Sequence, residues 1–345
     1  MLSESFPLEN RDSLLAPLLR AGKVLLAISG GPDSTALLKL AADWRAADPA
    51  RPKILAATID HGLRPESQAE SQDVAALAQR LGIPHAILVW EGEKPISRLQ
   101  EKARAARYRL LVGHAREIGA DCIVTAHHAD DQAETVLMRM AHGSGIAGLA
   151  GMRPVTILDG LSLVRPLLDI PKSGLVAFCH AQGLAFAEDA SNINPRYARV
   201  RWRLLADTLA GQGLTARRLA RLAQRAARAD DALAAMAQTL AKEAVTRGPE
   251  GTSVNFSALL AGPEEVGLRV LIAEVENLGV APLRLQRLES AFERLAQALH
   301  RGESLKLSLG GALLRLDKTG RLELVREPVR QRGRNVMSQS VHRVG

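Results

Sequence analysis

Hydrophobic positions in the first 190 residues fall into short runs, separated by longer segments where apolar residues recur every three or four positions. The runs are Val24 to Ile28, Ile54 to Ile59, Ala86 to Trp90, Cys122 to Ala126 and Leu161 to Val164. Each is nearly continuous in apolar character, the pattern of parallel strands buried on both faces. The segments Ser34 to Trp44, Glu66 to Leu81, Ser97 to Ile118 and Asp130 to Met140 predict helices. This alternation predicts an α/β fold, a doubly wound parallel sheet of Rossmann-like type, with ligands outside the carboxyl ends of the strands. After about residue 200 the texture changes. Leu214 to Lys242, with Leu219, Leu222, Leu233 and Met236 among its apolar residues, predicts a long amphipathic helix, and Pro263 to Asn277 and Leu283 to His300 predict two more. Arg247 to Gly251, Gly262-Pro263 and Gly279 to Pro282 read as breaks. A small β element follows: Ser304 to Leu309, a Gly310-Gly311 turn, Ala312 to Leu316, then Leu322 to Val325. We therefore expect an α/β domain over residues 1–205, a smaller, mainly helical domain over 206–327, and a disordered tail over 328–345.

Composition narrows the classes. Of 345 residues, 47% are hydrophobic and 24% charged, which excludes a chain disordered throughout. Only ten are aromatic, so the core must be aliphatic. Lys and Arg total 45 against 37 Asp and Glu, a net charge of +8, which favours an anionic partner, nucleic acid first. Cys122 and Cys179 lie too far apart in sequence for a CxxC pair or a disulfide framework and fit a reducing cytoplasm. No apolar run approaches the roughly 18 residues of a spanning helix. Met1 to Asn10 has two Glu and no basic region, unlike a secretion signal, so no membrane partner is expected.

The strongest chemical signal is Ser29-Gly30-Gly31-Pro32-Asp33-Ser34, directly after the first strand and opening the first helix. Backbone N–H groups converge there, a geometry that suits phosphate, and the glycines permit close approach and positive φ. The Walker GK[ST] ending is absent. Asp33 beside a phosphate site calls for a cation, Mg²⁺ bridging to phosphate oxygens. A simple capped turn is the plainer alternative. Asp60-His61 closes the second strand. Thr125-Ala126-His127-His128-Ala129-Asp130-Asp131-Gln132-Ala133-Glu134-Thr135 closes the fourth. Its acids also suit a helix N-terminus, and zinc on His127, His128 and Asp131 is a rival, though adjacent strand histidines point opposite ways. Arg104 and Arg107 share a helix face and suit a phosphate or RNA. Gly143-Ser144-Gly145-Ile146-Ala147-Gly148 matches GxGxxG, but it follows a helix, the wrong context for a dinucleotide site. Arg218, Arg221, Arg225 and Arg228 form a stripe at spacings of three, four and three, which reads as an RNA-backbone footprint or as a solvated helix face.

Ser29 to Ser34 resembles the SGGxDS signature of the PP-loop ATP pyrophosphatases. Together with Asp60-His61-Gly62-Leu63-Arg64-Pro65-Glu66-Ser67, Glu101 to Tyr108, His127 to Thr135, Arg165-Pro166-Leu167-Leu168 and the segment from Asp189 through Arg203, the chain resembles the tRNA(Ile)-lysidine synthetase family over roughly residues 20–325. It departs from that pattern at Asn194 and Val200. The resemblance implies a ligase. The C2 oxygen of the wobble cytidine of a tRNA(Ile) with anticodon CAU attacks the α-phosphate of ATP. The ε-amine of L-lysine then displaces AMP to give lysidine. It also implies ATP on Ser29, Gly30, Gly31, Pro32, Asp33 and Ser34 with Asp60, His61 and Arg104. Mg²⁺ is expected on Asp33 and Asp131, and catalytic roles for Asp33, Asp131, His127, Glu134 and Arg199. RNA is expected on Arg107, Arg201, Arg203, Arg218, Arg221 and Arg225. Tyr108, Tyr197 and Trp202 are candidates to stack on an extruded base. A homodimer stays open. The alternatives are a PP-loop tRNA thiolase, a small-molecule amide-forming synthetase, and a non-catalytic RNA-binding module. The last leaves Asp33, Asp131 and Glu134 without work.

Overall fold

The computed structural model describes residues 11–62, 67–92, 94, 99–187, 198–249, 251–280 and 283–327. The expected tail, Leu63 to Glu66 and Asp189 to Tyr197 lie outside them. The chain divides into two compact units, Met1–Arg228 and Ala229–Gly345.

The strands of the first unit are β1 (Lys23–Ala27), β2 (Lys53–Asp60), β3 (His85–Val89), β4 (Cys122–Thr125), β5 (Val155–Leu158) and β6 (Leu161–Val164). Its helices begin with α1 (Arg11–Leu15), which runs into a 3₁₀ turn (Ala16–Arg20). Then come α2 (Pro32–Ala47), α3 (Ser67–Arg80), α4 (Leu99–Glu117), α5 (Ala129–Ala141), α6 (Ile146–Leu149), α7 (Lys172–Ala181), α8 (Ala198–Leu204) and α9 (Ala206–Gly211). The sheet order is β3-β2-β1-β4-β6-β5. All pairs are parallel except β5 with β6. Successive side chains of a strand point to opposite faces, so β1 feeds two cores. Val24 and Leu26 join Leu37, Trp44 and Phe178 on one side. Leu25 joins Leu111, Val112 and Ile123 on the other. A sheet covered on both faces explains the continuous apolar runs. Asp121 anchors the start of β1 beside β4, because its Oδ2 accepts from the N–H of Gly22 (2.7 Å) and of Lys23 (3.0 Å).

In this sheet two features differ from the sequence reading. The run Ala86 to Trp90 forms an edge strand with Ile87 and Val89 exposed, not one buried on both faces. The sheet also gains β5 as an antiparallel edge, joined to β6 through Asp159-Gly160, where Asp159 adopts a positive φ of 46°.

The long helix α10 (Ala216–Ala244) begins in the first unit. That unit extends past residue 205, because Leu219 and Ala223 of α10 pack with Ala133, Val136 and Leu137 of α5, together with Trp202 and Leu209. The second unit holds the rest of α10, then β7 (Val245–Gly248), β8 (Gly251–Asn255), α11 (Phe256–Leu260), α12 (Glu264–Asn277), α13 (Leu285–His300), β9 (Leu305–Leu309), β10 (Ala312–Leu316) and β11 (Arg321–Arg326). Its antiparallel sheet has the order β7-β8-β11-β10-β9. The stretch read as a break at Arg247 to Gly251 is instead a hairpin that pairs Gly248 with Gly251. Leu288, Ala291, Phe292 and Leu295 of α13, at helical spacing, bury one face into the sheet's core with Phe256 and Leu322.

Candidate active site

The loop between β1 and α2 sits at the carboxyl end of a central strand. Gly31 is the helix N-cap in extended conformation (φ −71°, ψ 166°), and Pro32 takes the first helical position, where the N–H it lacks is not needed. Gly30 has φ +84°, a conformation costly to any L side chain. The N–H groups of the first helical turn have no partner within the helix, so they face the space beyond the strand end. The serine hydroxyls shape the loop as well. Ser34 Oγ accepts from the Ser29 N–H (3.1 Å), lies 3.2 Å from Ser29 Oγ and donates to the Gly31 carbonyl (3.0 Å). The Gly30 carbonyl accepts from the Ala187 N–H (2.9 Å), tying the loop to the chain beyond α7.

The neighbouring strand β4 delivers the second half of the site. His128 is the N-cap of α5, and its backbone N–H donates to Asp131 Oδ2 (3.2 Å), one arm of a capping box. The buried His128 ring lies among three carboxylates. Nε2 is 3.4 Å from both Asp33 Oδ2 and Asp131 Oδ2, and Nδ1 is 3.5 Å from Asp130 Oδ2. Burial alone would lower its pKa. The hydrogen bonds to Asp130 and Asp33 and the charges of Asp131 and Asp33 outweigh burial and take it up to about 10. The carboxylates thus favour the charged form of His128, whose Nε2 joins the loop carboxylate to the helix carboxylate while Nδ1 lies 3.4 Å from the Asp131 backbone N.

His127 behaves oppositely. Burial, with the charges of Arg165, Arg104 and Arg199, pushes its pKa down to about 4, against the pull of Asp131. It is a neutral imidazole, with Nδ1 2.7 Å from Thr125 Oγ1. The two histidines lie just past the end of β4, and both feel Asp131. Glu134, one turn further along α5, is 5% exposed, and burial raises its pKa. Both its carboxylate oxygens accept from Arg203 of α8, one from Nε and the other from Nη2. Arg199, one turn earlier on α8, places Nη1 3.8 Å from Asp131 Oδ1.

The other expected residues are distributed as follows. Asp60 Oδ1 accepts from the Gly62 N–H (2.9 Å) and from Ser67 Oγ (2.6 Å), which lower its pKa and close the turn between β2 and α3. Arg104 is exposed and stacks over Tyr108 at 4.9 Å. Arg107, Arg201, Arg218, Arg221 and Arg225 are exposed. Arg203, expected to meet RNA, is turned into the acidic cluster, where it pairs with Glu134 and lies 3.7 Å from Asp131 Oδ1. Trp202 packs beside α5 in a small apolar cluster, and Tyr197 lies outside the described residues. Sequence reasoning gave no role to Arg165, at the carboxyl end of β6. It is buried, its Nη1 donates to the Arg153 carbonyl (2.8 Å) and to Thr156 Oγ1 (3.1 Å), and its charge helps keep His127 neutral. The run Arg165-Pro166-Leu167-Leu168 was the available signal.

The cluster suits a hard divalent cation. Asp33 Oδ1 is buried without a hydrogen-bond partner, and Asp33 and Asp131 offer oxygen donors from the first turns of the helices that follow adjacent strands. Among the described residues no three His, Cys, Asp or Glu side chains form a metal cage. Magnesium commonly uses one or two carboxylates plus substrate phosphates.

A glycine loop at the first strand's carboxyl end, feeding a helix N-terminus beside paired carboxylates, defines an ATP-using PP-loop enzyme. The PP-loop domain family matches residues 8–207. The chain is 54% identical over 319 residues to the tRNA(Ile)-lysidine synthase of Methylobacterium sp. (strain 4-46), covering 91% of each chain. It is 45% identical over 341 residues to that of Bradyrhizobium sp. (strain BTAi1), covering 93% of this chain and 95% of the relative. The chain belongs to the tRNA(Ile)-lysidine synthase family, and it is a ligase. Among solved structures, the U34-tRNA thiolase NcsA from Methanococcus maripaludis superposes with a TM-score of 0.54 at 19% identity, over 64% of this chain and 79% of that one, a likeness of fold. No described helix is long and apolar enough to cross a membrane.

Proposed function

We propose that this enzyme joins L-lysine to C2 of the wobble cytidine of tRNA(Ile) bearing the CAU anticodon, consuming ATP and releasing AMP and diphosphate. The observation that carries the reading is the convergence of Asp33 and Asp131, from adjacent strand ends, on the His128 imidazolium beside the loop. The backbone N–H groups of Gly30, Gly31, Asp33 and Ser34 receive the β- and γ-phosphates, and Asp60, His61 and Arg104 border the nucleotide. Asp33 and Asp131 would hold Mg²⁺, which supplies charge neutralisation at the phosphates when bound.

The extruded cytidine attacks through O2. An O–P bond forms at the α-phosphorus and diphosphate leaves with the electron pair of the bond broken. The lysine ε-amine then attacks C2, the C2–O bond breaks, and AMP departs. The buried anion Glu134 receives the ammonium and is the group to take its proton, because burial has raised its pKa toward that task. His128, already protonated, stays an electrostatic bridge, and neutral His127 adds no repulsion against the ammonium. Arg199 closes on the nucleotide side. Arg107, Arg201, Arg218, Arg221 and Arg225 contact RNA phosphates, all from the unit Met1–Arg228 that also carries the chemistry. A sulfur-transferring alternative is disfavoured by the two thiols. Cys122 and Cys179 are buried on different elements, and burial pushes both up to about 11, which suits reduced, inert thiols in a cytoplasm.

The test measures diphosphate release and labelled-lysine incorporation with ATP, Mg²⁺ and tRNA(Ile) transcript, using tRNA(Met) and Asp33→Ala as controls. Incorporation that needs both tRNA(Ile) and Asp33 is expected. Diphosphate release without incorporation overturns the lysine step. RNA binding without diphosphate release overturns the chemistry altogether.

A further inference from the structure

Glu134 and Arg203 are unequal partners. Glu134 is buried on α5, so its charge is costly without a cation beside it. Arg203 lies on the short helix α8 with its side chain 34% exposed, on the same face as Arg199, whose side chain is 39% exposed. The Arg203 guanidinium, which also lies 3.7 Å from Asp131 Oδ1, has a route to solvent that the Glu134 carboxylate lacks. The carboxylates around the site outnumber the basic side chains by one. Asp33, Asp130, Asp131 and Glu134 face His128, Arg199 and Arg203. Arg203 holds both oxygens of Glu134, so an ammonium that is to pair with that carboxylate must displace it.

We infer that Arg203 is a specificity-determining placeholder, holding Glu134 until an incoming phosphate draws its guanidinium away and the lysine ammonium takes its position. The inference rests on the proposed lysine chemistry. A guanidinium forks well onto phosphate oxygens, so the exchange trades one charge-assisted pair for another rather than breaking one. The phosphate has two possible sources, the nucleotide and the RNA backbone. Lysine then enters a site whose other substrates are in place, and Arg203 acts as a positioning residue working through Glu134.

The experiment titrates the full chain with L-lysine by calorimetry in Mg²⁺ buffer, in four arms: alone, with a non-hydrolysable ATP analogue, with tRNA(Ile) transcript, and with both. In the wild type the lysine affinity rises about tenfold in the arm that supplies the phosphate, a usual size for coupling between sites. Whichever single addition produces the rise identifies the source. Arg203→Gln binds lysine without phosphate as tightly as the wild type does with it, and its coupling factor falls to about one. Arg203→Lys, still a cation, keeps the coupling. Linkage requires lysine to tighten the phosphate ligand by the same factor in the wild type, a readout that needs no variant. Wild-type lysine binding that is indifferent to every addition overturns the inference and leaves the lysine reading standing. So does an Arg203→Gln protein weakened equally in all arms. Absence of lysine binding in every arm, together with no lysine incorporation into RNA, overturns both.

Discussion

Gly30 and Gly31 are adjacent, yet each is glycine for its own reason, and the two alanine variants separate folding from ligand binding. At Gly30, φ is +84°, and a Cβ would lie 3.1 Å from Val74 Cγ2. A left-handed L residue costs about 1–2 kcal/mol. The Val74 contact requires a further displacement of a few tenths of an ångström. In a unit of this size that loss lowers the unfolding midpoint of Gly30→Ala by about 2–8 °C. At Gly31 the backbone is extended, and the nearest atom to a new Cβ is Ser29 Oγ at 3.9 Å. Gly31→Ala therefore melts like the wild type. Its methyl group stands beside the N–H groups proposed to meet phosphate. Loss of one charge-assisted hydrogen bond, about 1.5–3 kcal/mol, weakens nucleotide binding about tenfold or more. The assay pairs thermal unfolding, followed by tryptophan fluorescence, with calorimetric titration of an ATP analogue. Adding Val74→Ala to Gly30→Ala restores only the steric part of the loss. Wild-type nucleotide affinity in Gly31→Ala would refute the phosphate-loop assignment. An unshifted midpoint in Gly30→Ala would refute the backbone argument.

Other outcomes follow from the same geometry. The His127 pKa is lower folded than unfolded, so its contribution to stability is present above about 6.5 and is lost as pH falls toward about 4. Denaturant midpoints across that window should fall by an equivalent of at most about 3 kcal/mol, and His127→Gln should flatten the curve. Replacing Arg218, Arg221 and Arg225 together with Gln should weaken tRNA binding and reduce the slope of log affinity against log salt by about 2–3, with nucleotide affinity untouched. Asp121→Ala, which removes two hydrogen bonds at the start of β1, should cost about 1–2 kcal/mol in chemical denaturation and leave nucleotide binding unchanged.

What was legible in the sequence was whatever local pattern determines. The runs of β1, β2, β4 and β6 are apolar on both faces because both faces are covered, and their helices carry the complementary periodicity. Strand β5 escaped notice because it is an edge strand with Val155 and Ile157 exposed, so burial imposed no apolar run on it. The β7–β8 hairpin was hidden by its own turn, since Arg247 to Gly251 carries the same Gly and Pro residues as a linker. In the site, Ser29 to Ser34 and His127 to Glu134 were readable because consecutive residues at a strand end stay together in space. The partners that decide charge were not. Arg203 is 69 residues from Glu134, and only the packing of α8 on α5 turns it inward rather than toward solvent. The opposite protonation of adjacent histidines likewise depends on Arg165, Arg104 and Arg199, brought in from other elements.

The scarcity of aromatic residues has an optical consequence. All three tryptophans, Trp44, Trp90 and Trp202, and both tyrosines fall within Met1–Arg228, while the second unit holds Phe256 and Phe292 but no Trp or Tyr. Tryptophan and tyrosine fluorescence thus reports on the first unit alone, and the second can melt without changing it. Trp202, next to Arg203 on α8, is by the same token a native probe of that helix, and a single tryptophan placed in β10 would make the dark unit visible.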